Sequence, residues 1–311
     1  MGINKLINWL LFVLLCIIWG SSFILMKHSK EQLSASQIAA LRIFSAGIVL
    51  LPFAIFHVRK IPGKKILFVL LTGITGNLIP AFLFASAIAK NIDSSLASIL
   101  NSLTPLFVVI IAITIFKDKI KTQKIIGVLI GFAGLTLLFF SWKGIGLENL
   151  KYAFYILIAT ILYGVTVNLV SHFLKELNPV HITTVSLACM IIPTAYVLWK
   201  QDFLQLNFHE NSIQWALAEA ATLGIMGSAI ATGIFYTLIK RAGAIFASLV
   251  TYGIPVIGIF WGILDGEKIT MIQVGCLGII LFGVYLVNKG DKKNQKSLDG
   301  PGPPEKVISS N

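Results

Sequence analysis

Charge is scarce in this chain. Of its 311 residues only 12% are Asp, Glu, Lys or Arg, against about 25% in soluble domains, so a water-facing globular surface is excluded. Acids are scarcest, 13 against 25 basic residues. Cysteine is nearly absent. Cys16, Cys189 and Cys276 each fall inside an apolar run and behave as small hydrophobes, so neither a disulfide framework nor a zinc spacing can be assembled. No GxxxxGK[ST] loop occurs, so ATP cannot drive work here unaided. No GxSxG, HExxH or Cys/His cluster supports a membrane enzyme. The expectation is no catalytic residue, no cofactor and no metal. Lys5 precedes an apolar run, yet no small-x-small cleavage site follows, which argues against a secretory signal.

What is abundant is apolar. Hydrophobic residues make up 56% of the chain and the mean hydropathy is +0.86. Ten stretches approach or exceed the roughly 20 residues that a helix needs to cross a hydrocarbon core: 8–26, 36–57, 66–89, 94–116, 122–140, 149–174, 180–199, 213–239, 244–264 and 269–287. Lipid offers open backbone groups no partner, so each reads as a helix. The expected fold class is an all-α integral membrane protein of ten transmembrane helices. Residues 288–311, with Gly300-Pro301-Gly302-Pro303-Pro304 and scattered lysines, read as a disordered cytoplasmic tail.

The chain also repeats itself. Ala97-Ser98 through Pro105 returns as Ala247-Ser248 through Pro255, with Lys90 and Lys240 in register upstream. Five spans per copy, an odd number, make the second copy enter the membrane upside down. Residues 1–145 and 146–287 are therefore two inverted five-helix repeats. The loops agree. Lys117-Asp118-Lys119-Ile120-Lys121 follows span four, whereas the corresponding loop after span nine is acidic, Asp265-Gly266-Glu267-Lys268. With both termini in the cytoplasm, the inner segments hold 17 basic residues and the outer loops seven, balanced there by seven acids. That is the positive-inside bias. The basic balance reports topology, and no nucleic-acid partner is expected.

Trp19-Gly20-Ser21-Ser22-Phe23 in span one, Arg42-Ile43-Phe44-Ser45-Ala46-Gly47 in span two, the Ala-Ser-x-x-x-x-x-x-Pro runs opening spans four and nine, and Gly275 through Gly283 resemble the drug/metabolite transporter superfamily, specifically its bacterial ten-helix EamA-type carriers. The resemblance covers residues 8–287. It implies a multi-pass carrier of the bacterial plasma membrane, commonly an exporter of amino acids or other small metabolites, with helices one, three, four, six, eight and nine around a central cavity. Two positions depart from the pattern: Tyr163-Gly164 replaces the Trp-Gly of the first repeat, and Glu219 stands in span eight.

Two ionisable residues lie inside spans, Arg42 and Glu219. Charge at depth is costly and faces a partner or a wet cavity. Counted along their helices, both sit roughly 9 Å below the outer boundary, which permits a salt bridge, a joint site for a zwitterion, or snorkelling to the interface. A second constellation lies near midplane: Trp19, Asn77, Asn101, Tyr163, Asn168, Tyr236, Thr251 and Tyr252. These are either helix–helix glue or the lining of a substrate cavity. Pro105 and Pro255 predict kinks in spans four and nine. Gly127-x-x-x-Gly131 permits close helix contact, within the bundle or across a dimer. The function read from all this is a secondary carrier of small polar metabolites working by alternating access, with export the expected direction; a passive channel or a nucleotide-sugar-like carrier is the alternative. The partners are a small-molecule substrate and the bilayer, with the protein a monomer or homodimer.

Overall fold

The computed structural model of the chain describes residues 3–90, 92, 94–141, 147–264 and 271–298. Among these, fifteen α-helices and no strand occur, arranged in ten consecutive segments that coincide with the ten apolar stretches. Span one is α1 (Ile3–Ser29), span two α2 (Ala35–His57), span three α3 (Gly63–Gly73) and α4 (Ile79–Ala89), span four α5 (Ser94–Asn101) and α6 (Thr104–Thr114), and span five α7 (Thr122–Ser141). Span six is α8 (Leu147–Phe173), span seven α9 (Pro179–Ala188) and α10 (Ile191–Lys200), span eight α11 (Asn211–Gly224) and α12 (Ala231–Ala242), span nine α13 (Ala244–Ser248) and α14 (Val250–Leu264), and span ten α15 (Met271–Leu298). Seven of the ten are long and apolar enough to cross a membrane, while spans four, five and ten carry shorter apolar helices. The last helix continues past residue 287 to Leu298, and residues 299–311 of the expected tail lie outside the described residues.

Local sequence explains where helices start and break. Ser34 opens α2 with a capping box: its Oγ accepts from Gln37 N, and Gln37 Oε1 accepts from Ser34 N, satisfying two otherwise orphaned donors. Pro80, Pro105 and Pro193 each fall in the first turn of a helix restarting within a span, where a missing N–H costs little. Pro105 therefore marks a break after Asn101. Pro255 lies inside α14, and the interruption of span nine comes earlier, at Leu249. Spans three and eight are interrupted differently, by π-helical turns at Ile74–Leu78 and Ile225–Ile230. Such turns loosen the backbone ladder and recur at functional sites.

Packing respects the duplication. Span one lies against spans eight and nine, and span six against spans three and four; spans two and seven pair, as do five and ten. Exchanging the halves leaves this pattern unchanged, as two repeats related by a pseudo-twofold axis require. Spans five and ten meet through glycine: a Cβ on Gly283 would lie 2.6 Å from Gly127 O and from Gly131 N. Gly127-x-x-x-Gly131 thus serves packing within the bundle. Large side chains such as Phe53, Phe56, Ile192, Trp199 and Met271 face outward, as a lipid-facing surface requires.

Candidate functional site

Where the halves meet, a partly open cavity is lined by spans one, two, three, four, six, eight and nine. The two π-helical turns border it through Gly76 and Asn77 on one side and Gly227 on the other. A π turn frees backbone groups, and Trp19 Nε1 uses one, donating to Gly227 O at 2.8 Å. Small residues let the walls close up: a Cβ on Gly76 would sit 2.7 Å from Thr166 Cγ2, and Thr75 and Thr166 share a hydrogen bond of 2.7 Å beside it. Ser102 Oγ donates to Thr251 O at 2.5 Å, fastening spans four and nine at the seam.

Of the midplane residues, Trp19, Asn77, Asn101, Tyr163, Tyr236 and Thr251 border this one cavity. Asn168 and Tyr252 do not. Asn168 Nδ2 donates to Val108 O at 3.1 Å and Gly164 O at 2.9 Å, which makes it a tie between spans four and six. Tyr252 points away from the seam, its hydroxyl donating to Val128 O at 3.1 Å and its ring filling the space that the missing side chain of Gly131 leaves. Thr251 faces the cavity while Tyr252, 100° round the same helix, faces span five.

Arg42 and Glu219 part company as well. Arg42 lines the cavity, with Nε donating to Ser228 Oγ at 2.9 Å. Glu219 accepts from Ser29 Oγ at 3.2 Å and faces His28 Nδ1 at 3.5 Å, outside the cavity. Arg42 packs against Gly224 of span eight, five residues beyond Glu219. Five helical residues are about 7.5 Å of rise and 140° of rotation, so equal counting from the span starts did not mean equal depth or a shared face. No salt bridge joins the two.

Several cavity residues escaped the reading of polar midplane positions. Phe23, Phe84 and Phe235 line it, as do Ser22, Thr104 and Thr232. A signal for some of them existed. Phe84 and Phe235 stand 151 positions apart, and so do the pairs Gly76-Asn77 and Gly227-Ser228. The structure uses them alike: Trp19 meets Phe235 edge-on at 5.1 Å, and its repeat counterpart Tyr163 stacks on Phe84 at 6.2 Å.

The electrostatics of the wall are one-sided. Arg42 is the sole charged residue bordering the cavity among the described residues. Buried polar atoms normally find partners, yet Asn77 Nδ2, Asn101 Oδ1 and Tyr236 Oη around the cavity have none, as does Asn168 Oδ1 away from it. Asn77 Oδ1 accepts from Thr232 Oγ1 at 3.2 Å, which orients its amide so that Nδ2 is the free end. Tyr236 Oη lies near Thr72 and Asn77 without reaching hydrogen-bonding geometry to either. A donor, an acceptor and a hydroxyl that is both are thus left open around a cationic side chain.

Comparison with known proteins agrees with this architecture. Residues 6–140 and 150–289 each match the model of the EamA-like transporter family, once per half. An uncharacterized transporter of Archaeoglobus fulgidus is 26% identical over 294 residues, spanning 90% of this chain and 98% of its own. The uncharacterized inner membrane transporter YedA of Escherichia coli K12 is 27% identical over 284 residues, 89% of either chain. A chloroplastic WAT1-related protein of Arabidopsis thaliana is 23% identical over 304 residues, 92% of this chain and 70% of its own. A crystal structure sharing 15% identity superposes with a TM-score of 0.69 over 93% of this chain and 98% of that one, which shows a common fold.

Proposed function

This chain belongs to the EamA-like transporter family, and from that premise we propose that it is a secondary carrier exporting small polar metabolites, amino acids or close relatives, across the plasma membrane. The observation that carries the reading is the open hydrogen-bonding potential around Arg42. Leaving a buried polar group unpaired costs about 1–3 kcal/mol, a cost that a bound solute relieves. The Arg42 guanidinium presents a planar fork suited to a carboxylate. Asn101 Oδ1 is an acceptor for an ammonium, and Asn77 Nδ2 a donor. Trp19, Phe23, Phe84 and Phe235 supply apolar and aromatic wall for the rest of the solute. A cationic site with both donors and acceptors favours a zwitterion over a cation.

Movement follows from the inversion. Two modules of similar packing related by an in-plane pseudo-twofold can exchange conformations, so that a state open to one side has a counterpart open to the other. Alternating access around a fixed site is the motion this architecture supports. With both termini in the cytoplasm, Lys240, Arg241 and Lys175 lie on the inner side, as the positive-inside bias requires. The test is uptake of a labelled amino-acid mixture into everted vesicles bearing the protein, with and without a proton gradient. Saturable uptake that depends on the protein and falls in Arg42→Gln supports the reading; uptake that rises linearly with concentration and ignores Arg42 contradicts it.

A further inference from the structure

A second cavity, open to solvent, lies where spans six and seven approach spans eight and nine. It is bounded by Ser171, Lys175, Leu177, Ile239 and Lys240, and by one residue that also borders the central cavity, Tyr236. That side chain is 1% exposed, with cavity on both sides. Its hydroxyl lies near Thr72 and Asn77 without completing a hydrogen bond to either, so packing more than hydrogen bonding holds the ring in place. Gly76 faces it, and a Cβ there would lie 3.3 Å from Tyr236 Oη. A large ring held mainly by packing, between two spaces, is able to change rotamer at a modest cost.

The two ends of the central cavity differ here. The counterpart of Tyr236, 151 positions earlier as for Phe84 and Phe235, is Ala85, and inversion puts that methyl group at the other end. The second cavity is also cationic. Lys240, one turn beyond Tyr236 on α12, donates to Leu177 O at 3.3 Å, which occupies one of its three N–H donors. Glu176 is engaged by Lys65 at 2.7 Å, and that ammonium holds its carboxyl below the usual range. With Lys65 and Lys175 both acting on that one carboxylate, cations outnumber acids at this cavity. Gly243, at the junction of α12 and α13, adopts φ +89° with open space where a Cβ would project, a conformation that glycine takes freely.

Resting on the carrier reading above, we propose that the second cavity is the inner mouth of the translocation path, that Tyr236 is the movable partition between it and the central site, and that Lys240 offers its ammonium to the carboxylate of the passing solute. Carboxylate-bearing solutes are then handed from Lys240 to Arg42, two cations on either side of one tyrosine ring. The solute class is narrowed to small carboxylates and zwitterions; a solute lacking an anionic group gains nothing at either point.

Thiol labelling tests this without needing the solute. In full-length protein with Cys16, Cys189 and Cys276 replaced by alanine and reconstituted in lipid vesicles, Ser22→Cys reports the central cavity and Ser171→Cys the second one. The probe is an anionic methanethiosulfonate reagent bearing a sulfonate, applied from the Lys240 side. Tyr236→Ala should raise the labelling rate of Ser22→Cys by about tenfold, Tyr236→Phe should leave it slow, and neither should alter the rate at Ser171→Cys. Lys240→Gln should reduce the preference of Ser171→Cys for the anionic over a cationic reagent by about threefold, as expected for one unit charge several ångströms away in water. An unchanged Ser22→Cys rate in Tyr236→Ala, with Ser171→Cys still labelled normally, overturns the partition. An unchanged reagent preference overturns the role of Lys240. Failure of saturable uptake in the wild type would remove the carrier reading while leaving these rates to be read as they stand.

Discussion

The seam between spans five and ten and the seam around the central cavity are built from the same apolar chain and come out as opposites. At the first, glycines bring backbones together: Gly127, Gly131 and Gly283 leave no room for a Cβ, and Tyr252 lies over Gly131 with its hydroxyl satisfied by Val128 O. At the second, π-helical turns and broken helices border a cavity, and three buried polar atoms around it have no partner. In a medium that rewards packing and internal hydrogen bonding alone, the first seam has spent its potential on structure. The second has kept some in reserve. A reserve of that kind is what a ligand site in a membrane protein requires.

Substitutions can break the contrast from either side. Gly131→Leu should do most damage, because its side chain would collide with the Tyr252 ring; overpacking of a tight seam costs on the order of 3 kcal/mol, read as loss of the folded peak in detergent size-exclusion and a lowered unfolding temperature. Asn101→Ala and Asn168→Ala form the sharper pair, since one residue type serves both roles. Asn101→Ala should leave the fold intact and lower saturable flux by about tenfold to a hundredfold, the worth of one charge-assisted or buried hydrogen bond. Asn168→Ala should do the reverse, losing about 0.6–1.7 kcal/mol of stability with KM unchanged. Glu219→Gln should have the smallest effect. Its carboxylate is 23% exposed and touches His28 and Ser29 outside the cavity, so flux and its pH profile should stay within about twofold of wild type, as for a partly exposed pair worth at most about 1 kcal/mol.

Much of the architecture was legible from hydropathy and self-similarity. Ten apolar stretches coincide with ten helical segments, and the recurrence of Ala97–Pro105 at Ala247–Pro255 announced the duplication that the packing obeys. Breaks within helices were less legible. Prolines located some, but the π turns at Ile74–Leu78 and Ile225–Ile230 carry no proline; an extra residue in a helical turn leaves composition unchanged. Polarity at midplane found Asn77 and Asn101 for a physical reason, the cost of an amide in lipid. It could not separate them from Asn168, because neighbouring carbonyls relieve that cost at its Nδ2, though not at its Oδ1, and which way a side chain faces depends on helix rotation. The aromatic lining was invisible to polarity and visible only in the spacing of the repeats. Arg42 and Glu219 show the limit of counting residues as depth: helices of different tilt and starting point put equal counts at unequal levels.

The most direct measurement is counterflow in vesicles reconstituted with the purified protein, preloaded with an unlabelled amino-acid mixture and diluted into a trace of labelled solute. A carrier with a fixed site between two inverted modules predicts transient accumulation of label above equilibrium, saturating with concentration and abolished in Arg42→Gln. Label that only equilibrates, at a rate proportional to concentration and indifferent to Arg42, would contradict a gated central site and leave an open pore in its place.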